Sequence, residues 1–219
     1  MDGLTTPRWR KINEYHSNYV LRTNRRMKAE RLRRSLERVI PPLFASAHLR
    51  DLNQTFRRAL LDFDRRVGLV LFGPAGRGKS FAMAALARYL ILRGKKCERI
   101  AYEMLCLQIR NTYKQGSGQT ELDVIRPLIQ CDCLFIEDFN PAASGRSDFQ
   151  NRIIYMLLNG RLEACRPTFI TTNKTRRDLQ SALDEQITSR LFSFRWIGLG
   201  GEDKRISTIR EDRKNGILR

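Results

Sequence analysis

The segment GPAGRGKS, residues 73–80, constrains the fold of this chain more than any other, because it matches G-x-x-x-x-G-K-[ST] at every fixed position. The apolar run VGLVLF precedes it and SFAMAALARYLILRG follows it, which predicts a buried strand before the loop and a helix after it. Such a loop turns backbone N–H groups inward, and the helix N-terminus adds partial positive charge. The sequence therefore predicts a phosphate-binding loop in an α/β domain.

The residues of this loop predict a site for ATP and Mg²⁺. Lys79 is long enough to reach the β- and γ-phosphates of a nucleotide, and the Ser80 hydroxyl can ligate Mg²⁺. The sequence leaves open whether Arg77 faces solvent or touches phosphate. The predicted nucleotide-binding residues are those of the loop and the one that follows it: Gly73, Pro74, Ala75, Gly76, Arg77, Gly78, Lys79, Ser80 and Phe81.

A second strand, in CLFIED, ends in two adjacent acids. Leu134, Phe135 and Ile136 are typical of a buried strand, and Glu137 and Asp138 follow where that strand reaches the surface. Charges beside a buried strand are costly unless they have partners. A phosphate loop needs acids that hold the metal ion and orient water, and ligands bind at the carboxyl ends of parallel strands. We therefore expect both acids in the nucleotide site, in preference to an incidental charged strand end.

The next strand, in PTFITTN, also ends in polar residues. An amide at Asn173 could hold the attacking water near the γ-phosphate. The alternative is an asparagine that only forms a turn.

A lone arginine, Arg190, lies in LDEQITSRLFSF, a predicted amphipathic helix with Leu183, Ile187 and Leu191 on its apolar side. It is either an ordinary surface arginine or an arginine finger that reaches from one subunit into the ATP of the next. In the second case it would stabilise charge on the transferring phosphoryl group.

Strand and helix patterns alternate along most of the chain, which predicts a mostly parallel sheet flanked by helices in an α/β fold. The predicted strands lie in VGLVLF, CERIAY, CLFIED and PTFITTN, and helices lie in SFAMAALARYLILRG, MLCLQIRNTY, ELDVIRPLIQ and FQNRIIYMLLNGRLEA. We find no internal repeat, and we expect a domain boundary between residues 41 and 50.

The net charge of +18 and the pI of about 10.5 indicate a polyanionic partner. DNA or RNA fits this charge best. An anionic membrane surface and a merely solvated basic surface are the alternatives. No apolar run is long enough to span a bilayer, and the first residues lack the apolar core of a secretory signal. The five cysteines include no C-x-x-C pair, so we expect reduced, buried thiols in a cytoplasmic protein and no zinc site.

The first 45 residues predict a basic helical arm. Residues 1–40 contain 11 Lys and Arg against 4 Asp and Glu, and Trp9, Tyr15 and Tyr19 lie among these charges. From residue 24 to residue 40, the apolar residues Leu32, Leu36, Val39 and Ile40 form one stripe, and Pro41 and Pro42 end the helix. The arm either grips single-stranded nucleic acid or a partner protein, or is a solvated helix that packs on its own domain.

In this order, the motifs resemble those of the AAA+ ATPases of the DnaC/IstB group, which are bacterial helicase loaders and transposition helper ATPases. The resemblance runs from residue 40 to residue 205 through GPAGRGKS, LFIEDF, RPTFITTN, SRLF and GEDKR. It implies a three-layer AAA+ domain over residues 46–219, with little or no separate C-terminal lid. It also implies ATP hydrolysis, DNA binding, a ring or spiral of subunits, and delivery of a replicative helicase or a transposase.

The resemblance also implies roles for single residues. Lys79 and Ser80 belong to Walker A, Asn173 is the sensor-1 residue, Arg190 is the arginine finger, and Arg205 resembles the arginine that closes the module as a second sensor. Glu137 and Asp138 belong to Walker B, with Glu137 and Ser80 on the metal ion and Asp138 polarising water. Walker B of this group usually reads Asp-Asp or Asp-Glu, so the Glu-Asp order here suggests slow hydrolysis.

The sequence is therefore compatible with four functions. The first is a DnaC-like helicase loader in DNA replication, and the second is an IstB-like helper that selects target DNA for a transposase. The third is a nucleotide-gated DNA-binding module with little hydrolysis. The fourth is a superfamily-3-type helicase, for which the 35 residues from Asp138 to Asn173 are a long separation.

Overall fold

The centre of the molecule is a five-stranded sheet in which all strand pairs are parallel. The computed structural model describes residues 7–114, 116, 118–141 and 148–201. The strands are β1 (Gly68–Phe72), β2 (Cys97–Ala101), β3 (Cys133–Glu137), β4 (Thr168–Thr172) and β5 (Arg195–Gly198), in the spatial order β2-β3-β4-β1-β5. The three inner strands are buried on both faces because helices cover the sheet on both sides.

Helices form the two outer layers. They are α1 (Pro7–Val39), α2 (Gln54–Leu61), α3 (Lys79–Leu92), α4 (Tyr102–Thr112), α5 (Glu121–Gln130), α6 (Asp148–Glu163), α7 (Arg176–Ala182) and α8 (Glu185–Phe192). On one face, Phe135 and Phe169 of the sheet pack with α3. On the other, Ile136 and Ile170 pack with α4 and α6. This arrangement confirms the predicted three-layer α/β fold.

The apolar stripe predicted near residue 40 packs on the domain. Val39 is buried, and Leu32 and Leu36 are partly buried against the core beside α3. Arg38 adds an ion pair of 3.0 Å with Glu98 on β2. The end of α1 is therefore anchored to the sheet, while the arm over residues 1–45 as a DNA- or partner-binding unit stays a prediction.

Several local features differ from the sequence prediction. Strand β5 and helices α2 and α7 were not predicted. Strand β5 has only four residues, begins with Arg195, and gains its hydrogen bonds from β1. Cys165 is exposed, whereas the other four cysteines are buried as expected. Cys165 has a φ of 50° where the chain turns out of α6, and this turn carries its side chain away from the core.

Among the helices in the described part of the chain, none is long and apolar enough to cross a bilayer.

Candidate nucleotide site

Three motifs meet at the carboxyl edge of the sheet. The phosphate loop follows β1, the two acids end β3, and Asn173 follows β4. Strand β4 lies between β3 and β1, so its end lies between the loop and the acids. This convergence follows from the strand order.

The phosphate loop depends on glycine at positions where any side chain would be strained. Gly73 has a φ of 141°, and a Cβ there would lie 2.3 Å from the carbonyl oxygen of Leu199, which follows β5. Gly78 has a φ of 82° and immediately precedes the first residue of α3. Left-handed backbone at both positions leaves the loop open toward the N-terminus of α3, where an anion is stabilised.

Lys79 lies at the centre of the site. Its Nζ donates to the carbonyl oxygens of Gly73 at 2.6 Å and Pro74 at 2.7 Å, and to Oδ1 of Asn173 at 2.7 Å. Only 6% of the residue is exposed. Three oxygens thus hold the ammonium between the loop and the end of β4, where it can serve a phosphate bound by the same loop.

The loop also contains unused hydrogen-bond donors. Nε and Nη1 of Arg77 are buried and have no hydrogen-bond partner among the described residues. Buried polar groups are normally paired, so these two donors fit a phosphate, in agreement with the option of phosphate contact. Ser80 is half-buried on the first turn of α3. The side chain of Phe81 packs edge-on against Phe44, with 6.4 Å between ring centroids. The loop therefore fits a nucleotide phosphate chain.

The two acids of β3 have opposite environments. Glu137 is 5% exposed and pairs with Nη2 of Arg99 on β2 at 2.5 Å. It shares the α3 face of the sheet with Phe135, because alternate residues of a strand point the same way. Asp138 is exposed and has a φ of 50°. Glu137 is thus buried beside a cation on the α3 face, and Asp138 is open to water.

Backbone contacts between β3 and β4 fix the position of Asp138. Its N–H donates to Oγ1 of Thr171 at 3.0 Å, and the N–H of Phe139 donates to the carbonyl oxygen of Thr171 at 2.8 Å. The Oδ1 of Asn140 accepts from the N–H of Asn173 at 2.8 Å and from Oγ1 of Thr172 at 3.2 Å. These bonds connect the segment after the acids to the polar end of β4.

Sequence reasoning missed four residues of this network, namely Arg99, Asn140, Thr171 and Thr172. Thr171 and Thr172 lie within PTFITTN, and Asn140 directly follows LFIEDF, so their polar character near the strand ends was a usable signal. Arg99 carries no such signal, because its role depends on β2 lying beside β3.

Arg190 is held within its own subunit. Its guanidinium donates from Nε and Nη2 to Oδ1 of Asn159 at 2.9 and 2.7 Å, and from Nη1 to the carbonyl oxygen of Gln186 at 2.8 Å. It also lies 4.5 Å from the ring centroid of Tyr155. These contacts orient Arg190 on the surface shared by α6 and α8. Its predicted role toward a neighbouring subunit stays a prediction, and Arg205 lies outside the described residues.

The sequence has relatives among replication proteins. No family model matches the chain. Over 136 residues, 62% of this chain, it is 26% identical to the replicative helicase loader DnaC of Escherichia coli strain K12. That match covers 54% of the relative, so the chain spans about half the length of the curated relatives it matches.

Solved structures of a helicase loader and a replication initiator have a similar fold. A crystal structure of the DnaC helicase loader has a TM-score of 0.61 and 19% identity, covering 73% of this chain and 100% of that one. The replication initiator DnaA bound to AMPPCP and single-stranded DNA has a TM-score of 0.61 and 13% identity, covering 80% of this chain and 56% of that one. At these identities the likeness establishes the fold alone.

Proposed function

We propose that this chain, which is similar in sequence and fold to the DnaC helicase loader, binds ATP with Mg²⁺ and hydrolyses the ATP. The observation that carries the proposal is the contact of Lys79 with both the phosphate loop and Asn173. It joins a phosphate-binding group to the residue that would orient water. The AMPPCP bound to DnaA, which has a similar fold, supports a nucleotide as the ligand.

We assign phosphate binding, metal binding and water orientation to different side chains of this site. Loop N–H groups, Lys79 and Arg77 bind the phosphates, and Ser80 with Glu137 would hold Mg²⁺. When bound, Mg²⁺ neutralises charge on the phosphate oxygens. Asp138 accepts hydrogen bonds from the attacking water at its exposed carboxylate, and Asn173 orients that water through its amide.

The cellular role that we propose is loading of a replicative helicase onto DNA during replication. The sequence similarity to DnaC supports this role, and the net charge of +18 supports contact with a nucleic acid. We further propose that subunits assemble into a ring or spiral. An IstB-like function would keep the same ATP site but recruit a transposase.

A nucleotide-dependent pull-down tests the ATP site and the cargo together. We expect wild-type protein to retain a replicative helicase when ATP or AMPPCP is present. Lys79→Ala should bind ATP at least about tenfold more weakly, since one charge-assisted hydrogen bond to phosphate is lost, and it should lose the helicase. Asp138→Asn should retain both ATP and helicase while turnover falls by about 10²–10⁴-fold.

Lys114→Ala is the matched control, because Lys114 is an exposed lysine outside the nucleotide site. Unchanged ATP affinity in Lys79→Ala would overturn the site assignment. Retention of a transposase in place of the helicase would favour the transposition helper.

A further inference from the structure

A cavity of about 420 Å³ opens at the edge of the sheet opposite the nucleotide site. Its walls come from the chain before β1, the end of α3, and the segments that enter β3 and β4. We name it the basal pocket and define it by Phe63, Arg65, Tyr89, Arg93, Lys95 and Arg166. Its volume falls in the range of roughly 300–1,000 Å³ that is typical of ligand sites.

The basal pocket is strongly cationic. Arg65, Arg93 and Lys95 are exposed, and none has a carboxylate within ion-pair distance in the described part of the chain. Arg166 donates one hydrogen bond, from Nη1 to the carbonyl oxygen of Ile129, and its other N–H groups remain available. Asp132 is the one acid among the lining residues, and it accepts the backbone N–H of Lys96 at 2.8 Å.

The buried side chain of Arg161 adds positive charge next to the residues that line the basal pocket. Arg161 is 0% exposed and donates to the carbonyl oxygens of Pro167 at 2.7 Å and Leu128 at 2.5 Å. Pro167 is itself a lining residue. No carboxylate forms an ion pair with Arg161 among the described residues, and its partners are backbone carbonyl oxygens, the hydroxyl of Thr168 and the thiol of Cys131.

The floor of the basal pocket is apolar and aromatic. The guanidinium of Arg93 lies 4.3 Å from the ring centroid of Tyr89, in a cation–π contact. Phe63 lines the other side and is fixed edge-on against Phe169, with 4.9 Å between centroids. Leu61 and Leu90 complete the apolar surface. A ligand for this pocket must therefore combine a flat apolar group with negative charge.

We propose that the basal pocket binds a nucleoside phosphate, with its base against Tyr89 and Phe63 and its phosphate among Arg65, Arg93 and Lys95. A base stacks on aromatic rings and guanidinium planes, and a phosphate is matched by the cations of the pocket. The ligand is either a free nucleotide or one unit of a single strand. An acidic peptide would satisfy the cations but would leave the aromatic floor without a flat partner.

The inference rests on the DNA-binding part of the proposed function and is independent of its ATP site. Strand β1 spans five residues, so the two sites lie about 16 Å apart along the sheet at ~3.3 Å per residue. Their tests can therefore fail separately. Loss of ATP binding in Lys79→Ala leaves the basal pocket intact, and loss of the pocket leaves the phosphate loop intact.

Cys165 offers a reporter inside the basal pocket. It lines the cavity and is exposed, while the other four cysteines, all within the described residues, are buried. The experiment measures the rate of Cys165 alkylation by N-ethylmaleimide in the full chain, with and without oligo(dT) or thymidine monophosphate. With the ligand at ten times its Kd, alkylation should slow roughly tenfold, because only the free fraction reacts.

The matched variants separate this site from other basic surfaces. Combined Arg93→Gln and Lys95→Gln should abolish protection and make the salt dependence of log Kd for oligo(dT) shallower by about 1.4, the share of two phosphate contacts. Combined Arg126→Gln and Arg177→Gln remove the same charge from exposed positions outside the pocket and should preserve protection. Cys165→Ser should remove the labelling signal.

The two ligands distinguish a free nucleotide from a nucleic-acid strand as the occupant of the basal pocket. Protection by the monophosphate identifies a free nucleotide as sufficient, and protection by oligo(dT) alone identifies a strand as the ligand. Tyr89→Leu, which keeps apolar packing but removes the ring, should weaken protection by either. An unchanged alkylation rate with saturating oligo(dT) and monophosphate would overturn the proposal, as would protection that survives the Arg93→Gln and Lys95→Gln pair.

Discussion

Arg99 is the residue that most changes the interpretation of the candidate site. It pairs with Glu137, the acid assigned to the metal ion, and its Nε is buried without a hydrogen-bond partner among the described residues. A guanidinium and Mg²⁺ would satisfy the same carboxylate. We therefore infer that Arg99 holds Glu137 in place before the metal binds and competes with the metal for it.

This competition predicts how Arg99→Gln responds to Mg²⁺. Breaking a buried ion pair from one side typically costs ~3–5 kcal/mol. Because 29% of the Arg99 side chain is exposed, we expect a smaller loss of about 2 kcal/mol in the free energy of unfolding without metal. Mg²⁺ with AMPPCP should then stabilise Arg99→Gln more than wild type, since the freed carboxylate gains a cation.

Thermal melts of both proteins with AMPPCP, in EDTA and in Mg²⁺, measure this difference. Arg126→Gln, which removes an exposed arginine outside the site, serves as the control. Equal Mg²⁺-induced shifts in the melting temperature of wild type and Arg99→Gln would assign Arg99 a purely structural role.

At the scale of elements, helix α7 begins three residues after Asn173 and is fixed by a capping box. The hydroxyl of Thr175 accepts the N–H of Asp178, and the carboxylate of Asp178 accepts the N–H and hydroxyl of Thr175, both at 2.8 Å. The T-x-x-D spacing allows this capping box to be recognised in the sequence. It defines the direction in which the chain leaves β4 and the site.

The capping box makes a prediction about pH. The backbone N–H of Thr175, and then its hydroxyl, hold the pKa of Asp178 below its usual value. Because the folded-state pKa is lowered, this contribution to stability is present above the unfolded pKa, near ~3.9, and is lost as pH falls through the lowered folded pKa. Thr175→Val removes the hydroxyl and should raise the pKa of Asp178 toward its usual value.

Carboxyl ¹³C NMR titration of the folded protein measures both pKa values. Asp123, whose pKa is lowered by the equivalent bonds from Thr120, is an internal control and should not move. Thr175→Ser keeps a hydroxyl and should leave Asp178 as in wild type. A titration midpoint for Asp178 that is the same in Thr175→Val would show that the side-chain bond has no effect on it.

The elements that the sequence predicted well are those whose signal is local. Strands β3 and β4 are runs that end in polar residues, β1 is an apolar run that is followed by Gly73, and the phosphate loop depends on its own glycines. Strand β5 and the Arg99–Glu137 pair depend instead on which strands are neighbours in the sheet. Neither contact has a counterpart in sequence spacing, so both emerged only from the fold.

At the scale of the molecule, the sheet separates two charged sites. Its carboxyl edge carries the phosphate loop, and its amino edge carries the basal pocket. Helix α3 begins at the first and ends at the second, over 14 residues or roughly 21 Å. A single nucleic-acid strand bound at the basal pocket and a nucleotide bound at the phosphate loop would thus contact opposite ends of helix α3.

Assembly provides the last prediction, because Arg190 completes a nucleotide site only if it acts on a neighbouring subunit. Its hydrogen bonds to Asn159 and its contact with Tyr155 orient the guanidinium within its own subunit. If it works in trans, Arg190→Ala should reduce turnover by about a thousandfold, as loss of an arginine finger does. Mixing Arg190→Ala with Lys79→Ala subunits should partly restore turnover.

The rescue occurs because the mixed assembly contains interfaces that pair an intact phosphate loop with an intact Arg190. Turnover measured across mixing ratios should therefore pass through a maximum, whereas each variant alone stays inactive. A structural role for Arg190 gives a different pattern. The loss of the contacts between α8 and α6 would lower the melting temperature of Arg190→Ala, and turnover would stay flat at every ratio. Asn159→Ala removes the acceptor but keeps the arginine, so it separates these outcomes. A structural role predicts that it loses turnover as Arg190→Ala does, whereas a role in trans predicts that it keeps most of its turnover.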